Sequence, residues 1–76
     1  METLEDMMAR LRAELKRIGK DLDNLRRENL TPENEAADVG EIKANATLAY
    51  RHIEDARMRL GKVIQANDGG VSVYDR

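Results

Sequence analysis

The chain has 76 residues, of which 37% are charged, with 13 Lys and Arg against 15 Asp and Glu for a net charge of −2. That is one small domain, and a domain this short buries only about 60% of the surface its unfolded chain exposes. It has no cysteine and one histidine, which excludes disulfides and thiolate metal sites and leaves His52 too few companions for structural zinc. Small scaffolds without such staples gain their missing burial by association, so oligomerisation is the expectation. The mixed, balanced charges argue against a general DNA-binding surface, which needs a concentrated basic field. No apolar run reaches the roughly 18 residues of a membrane span, and no basic-then-apolar signal opens the chain. The expectation is a soluble protein that stays where it is made. The sequon Asn45-Ala46-Thr47 reads as chance without a secretion signal.

Residues 1–30 carry a heptad pattern. Met1, Met8, Leu15 and Leu22 are seven apart, and Leu4, Leu11, Ile18 and Leu25 repeat the spacing with an offset of three. Apolar a and d positions with charges between them predict a coiled-coil-like helix. Asp6 with Arg10, Arg17 with Asp21 and Asp23 with Arg27 are opposite charges four apart, which adds modest support. Gly19 interrupts the pattern and predicts a kink or a close helix approach.

The first helix is expected to stop near Asn29-Leu30. Thr31-Pro32 reads as a new start, with Thr31 as cap and Pro32 in the first helical position. Residues 31–38 form the connector, as a loop or a short helical turn. Over 39–67 a second seam appears: Val39, Ile42, Ala46, Ala49, Ile53, Ala56, Leu60 and Val63 alternate spacings of three and four. Its alanines allow close approach of a partner helix. Leu48 and Ile64 read as extensions of that face. Asn67-Asp68-Gly69-Gly70 predicts a helix end with a left-handed glycine. Residues 68–76 are a tail that is either strand-like or docks. The predicted fold is all-α, an antiparallel helical hairpin with coiled-coil-like seams, assembling into a homo-oligomeric helical bundle.

No enzyme constellation assembles. There is no cysteine nucleophile, and Ser72, the only serine, is far from His52 in sequence. Gly61-Lys62 lacks the glycine run and the following Ser or Thr of a phosphate loop. The residues that stand out lie between 45 and 65. Arg51, Arg57, Arg59 and Lys62 read as a solvated face, through pairs Arg51–Asp55, Asp55–Arg59 and Glu54–Arg57. Alternatively, their guanidinium forks grip phosphate oxygens, an arrangement that symmetry near an axis would multiply. Tyr50 and Tyr74 are the only aromatics. Each serves either as packing or as a stacking surface for a base. His52 is either a polar edge of the core or a donor to a base edge.

The segment "NATLAYRHIEDARMRLGKVIQ", residues 45–65, resembles the C-terminal hairpin helix of the phage anti-CBASS and anti-Thoeris nucleotide sponges. The likeness rests on Asn45-Ala46-Thr47-Leu48, Arg51-His52-Ile53-Glu54, Ala56-Arg57-Met58, Leu60 and Lys62-Val63-Ile64. It covers about residues 39–66, and the tail "GGVSVYDR" fits short relatives of the same hairpin. The resemblance implies an interlocked homo-oligomer, in this family often a hexamer. It implies binding of cyclic di- or trinucleotides or of cyclic ADP-ribose isomers made by bacterial immune enzymes. The ligand is held without cleavage and without a cofactor, in the cytoplasm of the infected host. The ligand-binding residues it implies are Asn45, Tyr50, Arg51, His52, Lys62 and Tyr74. In this reading Arg51 takes phosphates, and Tyr50 or Tyr74 stacks on a base. Members of the family also use an aromatic and a lysine from an N-terminal segment, whereas residues 1–30 here contain no aromatic. The other reading is a non-enzymatic hairpin oligomer that serves as a protein-interaction module through its N-terminal heptads.

Overall fold

The computed structural model describes residues 1–69, as two helices: α1, Leu4–Arg27, and α2, Val39–Asn67. They pack antiparallel as a hairpin, and no strand occurs among the described residues. The described core is thin. Only Met8, Gly19 and Ala46 are buried, with Leu15, Ile18, Leu22, Ile42, Ala49, Ile53, Ala56, Leu60 and Ile64 half-buried around them.

Each helix starts at a side-chain cap. Thr3 Oγ1 accepts from Asp6 N at 3.1 Å, which satisfies one of the orphan donors at the start of α1. Asp38 Oδ1 accepts from Glu41 N at 3.0 Å and starts α2. Thr31 and Pro32 therefore do not begin a helix. They lie in a connector whose turn is held by Ala37 N on Asn34 O at 3.0 Å and Ala36 N on Asn34 Oδ1 at 3.0 Å. The first helix ends at Arg27, just short of the stop expected near Asn29-Leu30, with Glu28 in extended backbone closing on Asn24 O. At the far end Gly69 adopts φ +79° and its N–H reaches Ala66 O at 3.1 Å. That is the left-handed glycine expected after Asn67-Asp68.

Gly19 marks a close approach and not a break. A Cβ on it would stand 3.4 Å from Ile53 Cγ2, and α1 runs through it uninterrupted. Gly19 thus lies level with Ile53, as Glu5 lies level with Asn67, whose amide donates to its carboxylate at 3.5 Å. Fourteen residues along α1 match fourteen back along α2, so the register is regular.

The heptad reading is right about which faces are apolar and incomplete about what covers them. Leu4, Met7, Leu11 and Leu25 on α1 and Val63 on α2 remain exposed. Leu48, read as an extension of the second seam, is 51% exposed and sits on the opposite side of α2 from Ala46. Two residues on from Ala46 is about 200° around a helix of 3.6 residues per turn.

Candidate functional site

The hairpin sends the candidate residues in three directions. Tyr50 is half-buried at one edge of the groove between the helices. The guanidinium of Arg26, near the end of α1, stands 4.3 Å from its ring centroid. Arg26 is fixed from behind by Asp23, at 2.7 Å and 2.8 Å through two of its nitrogens. Arg27 reaches the same Asp23 oxygen at 3.0 Å. These two cations, the hydrogen bond from Arg26 first, hold the Asp23 carboxyl below its ordinary range. One face of Tyr50 is therefore occupied by a cation–π contact.

Asn45 and His52 lie seven residues apart on the other edge of α2, and both are exposed. The Asn45 amide is turned along its own helix, donating to Glu41 O at 2.8 Å and to Glu41 Oε2 at 3.3 Å. His52 has an open imidazole. Arg51 and Lys62 are eleven residues apart, three turns, so both face outward away from α1. The separation along the axis is about 16 Å. Tyr74 lies outside the described residues. Within one protomer the five described candidates do not share a pocket.

The cations of α2 are freer than the pairing rule implies. Of the three pairs expected, only Arg57 to Glu54 forms, at 3.1 Å. Arg51, Arg59 and Lys62 make no ion pair among the described residues. On α1 the outcome differs: Arg17 meets Asp21 at 3.5 Å and Arg27 meets Asp23, as expected. Arg10 instead leaves Asp6 for Glu2 at 2.9 Å and Glu14 at 3.5 Å. Glu2 is consequently held below the usual carboxylate range, chiefly by that hydrogen bond.

An open recess of about 550 Å³ lies at the other end of the hairpin, lined by Glu5, Met8, Arg12, Lys16, Ile64 and Asn67. None of the five described candidate residues lines it. Arg12 and Lys16 are four apart and so share one side of α1, a signal present in the sequence but indistinguishable there from an ordinary solvated face. Arg26 was likewise hidden, because its partner Tyr50 is on the other helix. Among the described residues no group of three His, Asp or Glu stands close enough to hold a metal ion. No described helix is long and apolar enough to cross a membrane. No family profile, curated protein or solved structure matches the chain.

Proposed function

We propose that this is a phage anti-defence protein that binds and sequesters cyclic oligonucleotide or cyclic ADP-ribose-type signals of bacterial immunity without cleaving them. It acts as a homo-oligomer of hairpins, a hexamer by the resemblance, in the cytoplasm of the infected host. The reading begins from the likeness of residues 39–66 to the sponge family. The observation that carries it is the set of unneutralised cations on α2. Arg51 and Lys62 make no ion pair among the described residues, whereas Arg57 finds Glu54. Free guanidinium forks suit phosphate oxygens, which they grip in two-point contacts. Because Arg51, His52 and Tyr50 point in different directions from one helix, a shared pocket requires residues from more than one copy.

A thermal-shift panel of cyclic di- and trinucleotides and cyclic ADP-ribose isomers tests this reading. At a hundred times its dissociation constant a ligand specific for the folded state adds about 2.7 kcal/mol. A clear shift for one chemotype, with that ligand recovered intact, is the expected result. A flat panel overturns it. The second reading, an interaction module without a ligand, is favoured by the exposed Leu4, Met7, Leu11 and Leu25, and it predicts the flat panel.

A further inference from the structure

We infer that the uncovered apolar face of the hairpin is occupied by a second copy of this chain. The two are related by a two-fold axis parallel to the helices, forming an antiparallel four-helix bundle. Its edges are closed by Glu14 of one copy against Arg59 of the other and by Asp21 against His52. This gives a symmetry and a register to the assembly proposed above, and it stands whether or not a nucleotide binds.

The first observation is that the described hairpin is one layer of a two-layer structure. Its extents are 52 × 28 × 14 Å, the last being little more than one helix thick. Domains are normally two packed layers around a core. The radius of gyration is 16.6 Å, against about 11 Å for a compact chain of this length. The accessible surface is 6141 Å², where a compact monomer of this mass exposes about 4,700 Å². The difference exceeds the roughly 800 Å² that each partner gives to a standard interface.

The second observation is where the exposed and half-buried apolar residues beside the seam lie. On α1, Leu4, Leu11, Ile18 and Leu25 sit to one side of the Met8–Leu15–Leu22 line that meets α2. On α2, Ala49, Ala56 and Val63 sit to one side of Ala46 and Ile53. Both lines lean the same way around their helices, towards the lower-numbered side at about 100° per residue. Two right-handed helices running in opposite directions place such flanks on the same broad side of the pair. The result is one continuous apolar face with Leu4, Leu11, Leu25 and Val63 exposed on it. Leu48 and Met58 lie off this face and play no part in it.

The third observation is the charge along the two margins of that face. Beyond Leu11 and Ile18, one turn on, come Glu14 and Asp21, both exposed acids. Beyond Ala56 and Val63, one turn back, come His52 and Arg59, both exposed. One margin carries these two acids, each held loosely at 3.5 Å by an arginine of its own helix, Arg10 and Arg17, and the other carries the imidazole and a guanidinium without an ion-pair partner among the described residues. A two-fold axis parallel to the helices sets α1 of one copy over α2 of the other and leaves every residue at its own level. The register that pairs Gly19 with Ile53 and Glu5 with Asn67 then places Glu14 opposite Arg59 and Asp21 opposite His52, each twice. An axis perpendicular to the helices in the plane of the face sets acidic margin on acidic margin. Like charges across an interface cost several kcal/mol, so the register selects the parallel axis.

Sedimentation velocity on the full chain, with the charge reversals Glu14→Arg, Arg59→Glu and the double variant, tests the inference. The wild type sediments as a dimer or a multiple of dimers. Each single reversal weakens the self-association about tenfold or more, because each creates two like-charged contacts. The double reversal restores it, since the pair is re-formed with its signs exchanged. Circular dichroism confirms equal helicity in all four proteins. A wild type that is monomeric throughout the micromolar range overturns the inference, and so does a double variant as weak as the worse single. Tighter association of Glu14→Arg alone also overturns it and points to the perpendicular axis. A monomeric wild type also removes the multi-copy pocket of the ligand reading, whereas an unrescued double variant of an assembled protein overturns only this register. A flat binding panel on an assembled protein overturns only the ligand reading.

Discussion

At the scale of single residues, the contact with the most content is Arg26 over Tyr50 at 4.3 Å. A cation–π pair at an exposed or half-exposed site is worth about 0.5–1 kcal/mol, and here Asp23 fixes the cation. A double-mutant cycle with Arg26→Ala and Tyr50→Leu, read by urea unfolding, should return a coupling of about that size. A coupling of zero would mean the ring and guanidinium are only neighbours. The same triad sets a pH dependence. Asp23 is held below its ordinary value by Arg26 and then Arg27. A depressed carboxyl contributes stability that is fully present above its unfolded pKa and is lost as pH falls through the lower, folded one. Melting temperature should therefore decline below the ordinary carboxylate range, and Asp23→Asn should flatten part of that decline. Little of this was legible in the sequence. The Asp23–Arg27 spacing gave one ion pair, but a contact between residues 26 and 50 depends on the register of two helices, and periodicity within either helix carries no register. Arg51 is the opposite case: the sequence singled it out, and the structure leaves it facing solvent. Arg51→Ala should leave assembly intact and weaken ligand binding by orders of magnitude. Loss of assembly would make it structural instead.

At the scale of elements, the helices follow from caps and seams more than from propensity. Asp38 satisfies Glu41 N at 3.0 Å, and Asp38→Ala should cost about 1 kcal/mol of stability, measured by chemical denaturation. Gly61 lies within α2 with open space where a Cβ would go. Gly61→Ala should therefore raise stability by up to about 1 kcal/mol without changing the assembly. A loss of stability there would indicate a neighbour that only the assembled protein brings. The element boundaries show where sequence reading stops. Thr31-Pro32 is a good local start signal, yet the helix begins at Val39. With Gly19 level with Ile53, Arg27 is level with Asn45, so α2 already runs past the end of α1 by residues 39–44. A start at Thr31 would extend it further with no seam to pack against, and helical stability comes mainly from such packing. Gly19 shows the converse. The sequence posed a kink or a close approach, and the side chain of Ile53 at 3.4 Å from its missing Cβ decides for the approach.

At the scale of the whole molecule, both heptad seams are where the spacing put them, and the hairpin is the fold they predict. What periodicity cannot say is how many helices cover one apolar stripe. The α1 stripe is wide enough for two neighbours: in the described hairpin Met8 is buried and Leu15, Ile18 and Leu22 are half-buried, while Leu4, Leu11 and Leu25 stay exposed. If a second hairpin covers them, Leu11→Glu should break the assembly and make the melting temperature independent of protein concentration, as linkage requires for a monomer. An unchanged concentration dependence would place the interface elsewhere. The candidate ligand residues are subject to the same limit. Their helix and spacing were readable, but residues that face three ways can meet only through copies. Native mass spectrometry of the purified full chain, titrated with the cyclic nucleotide that gives the largest thermal shift, reports assembly and ligand together. The expected result is an even-numbered oligomer that takes up a fixed, small number of ligands at their unaltered mass. A single unliganded hairpin, or a ligand released with a hydrolysed mass, would contradict it.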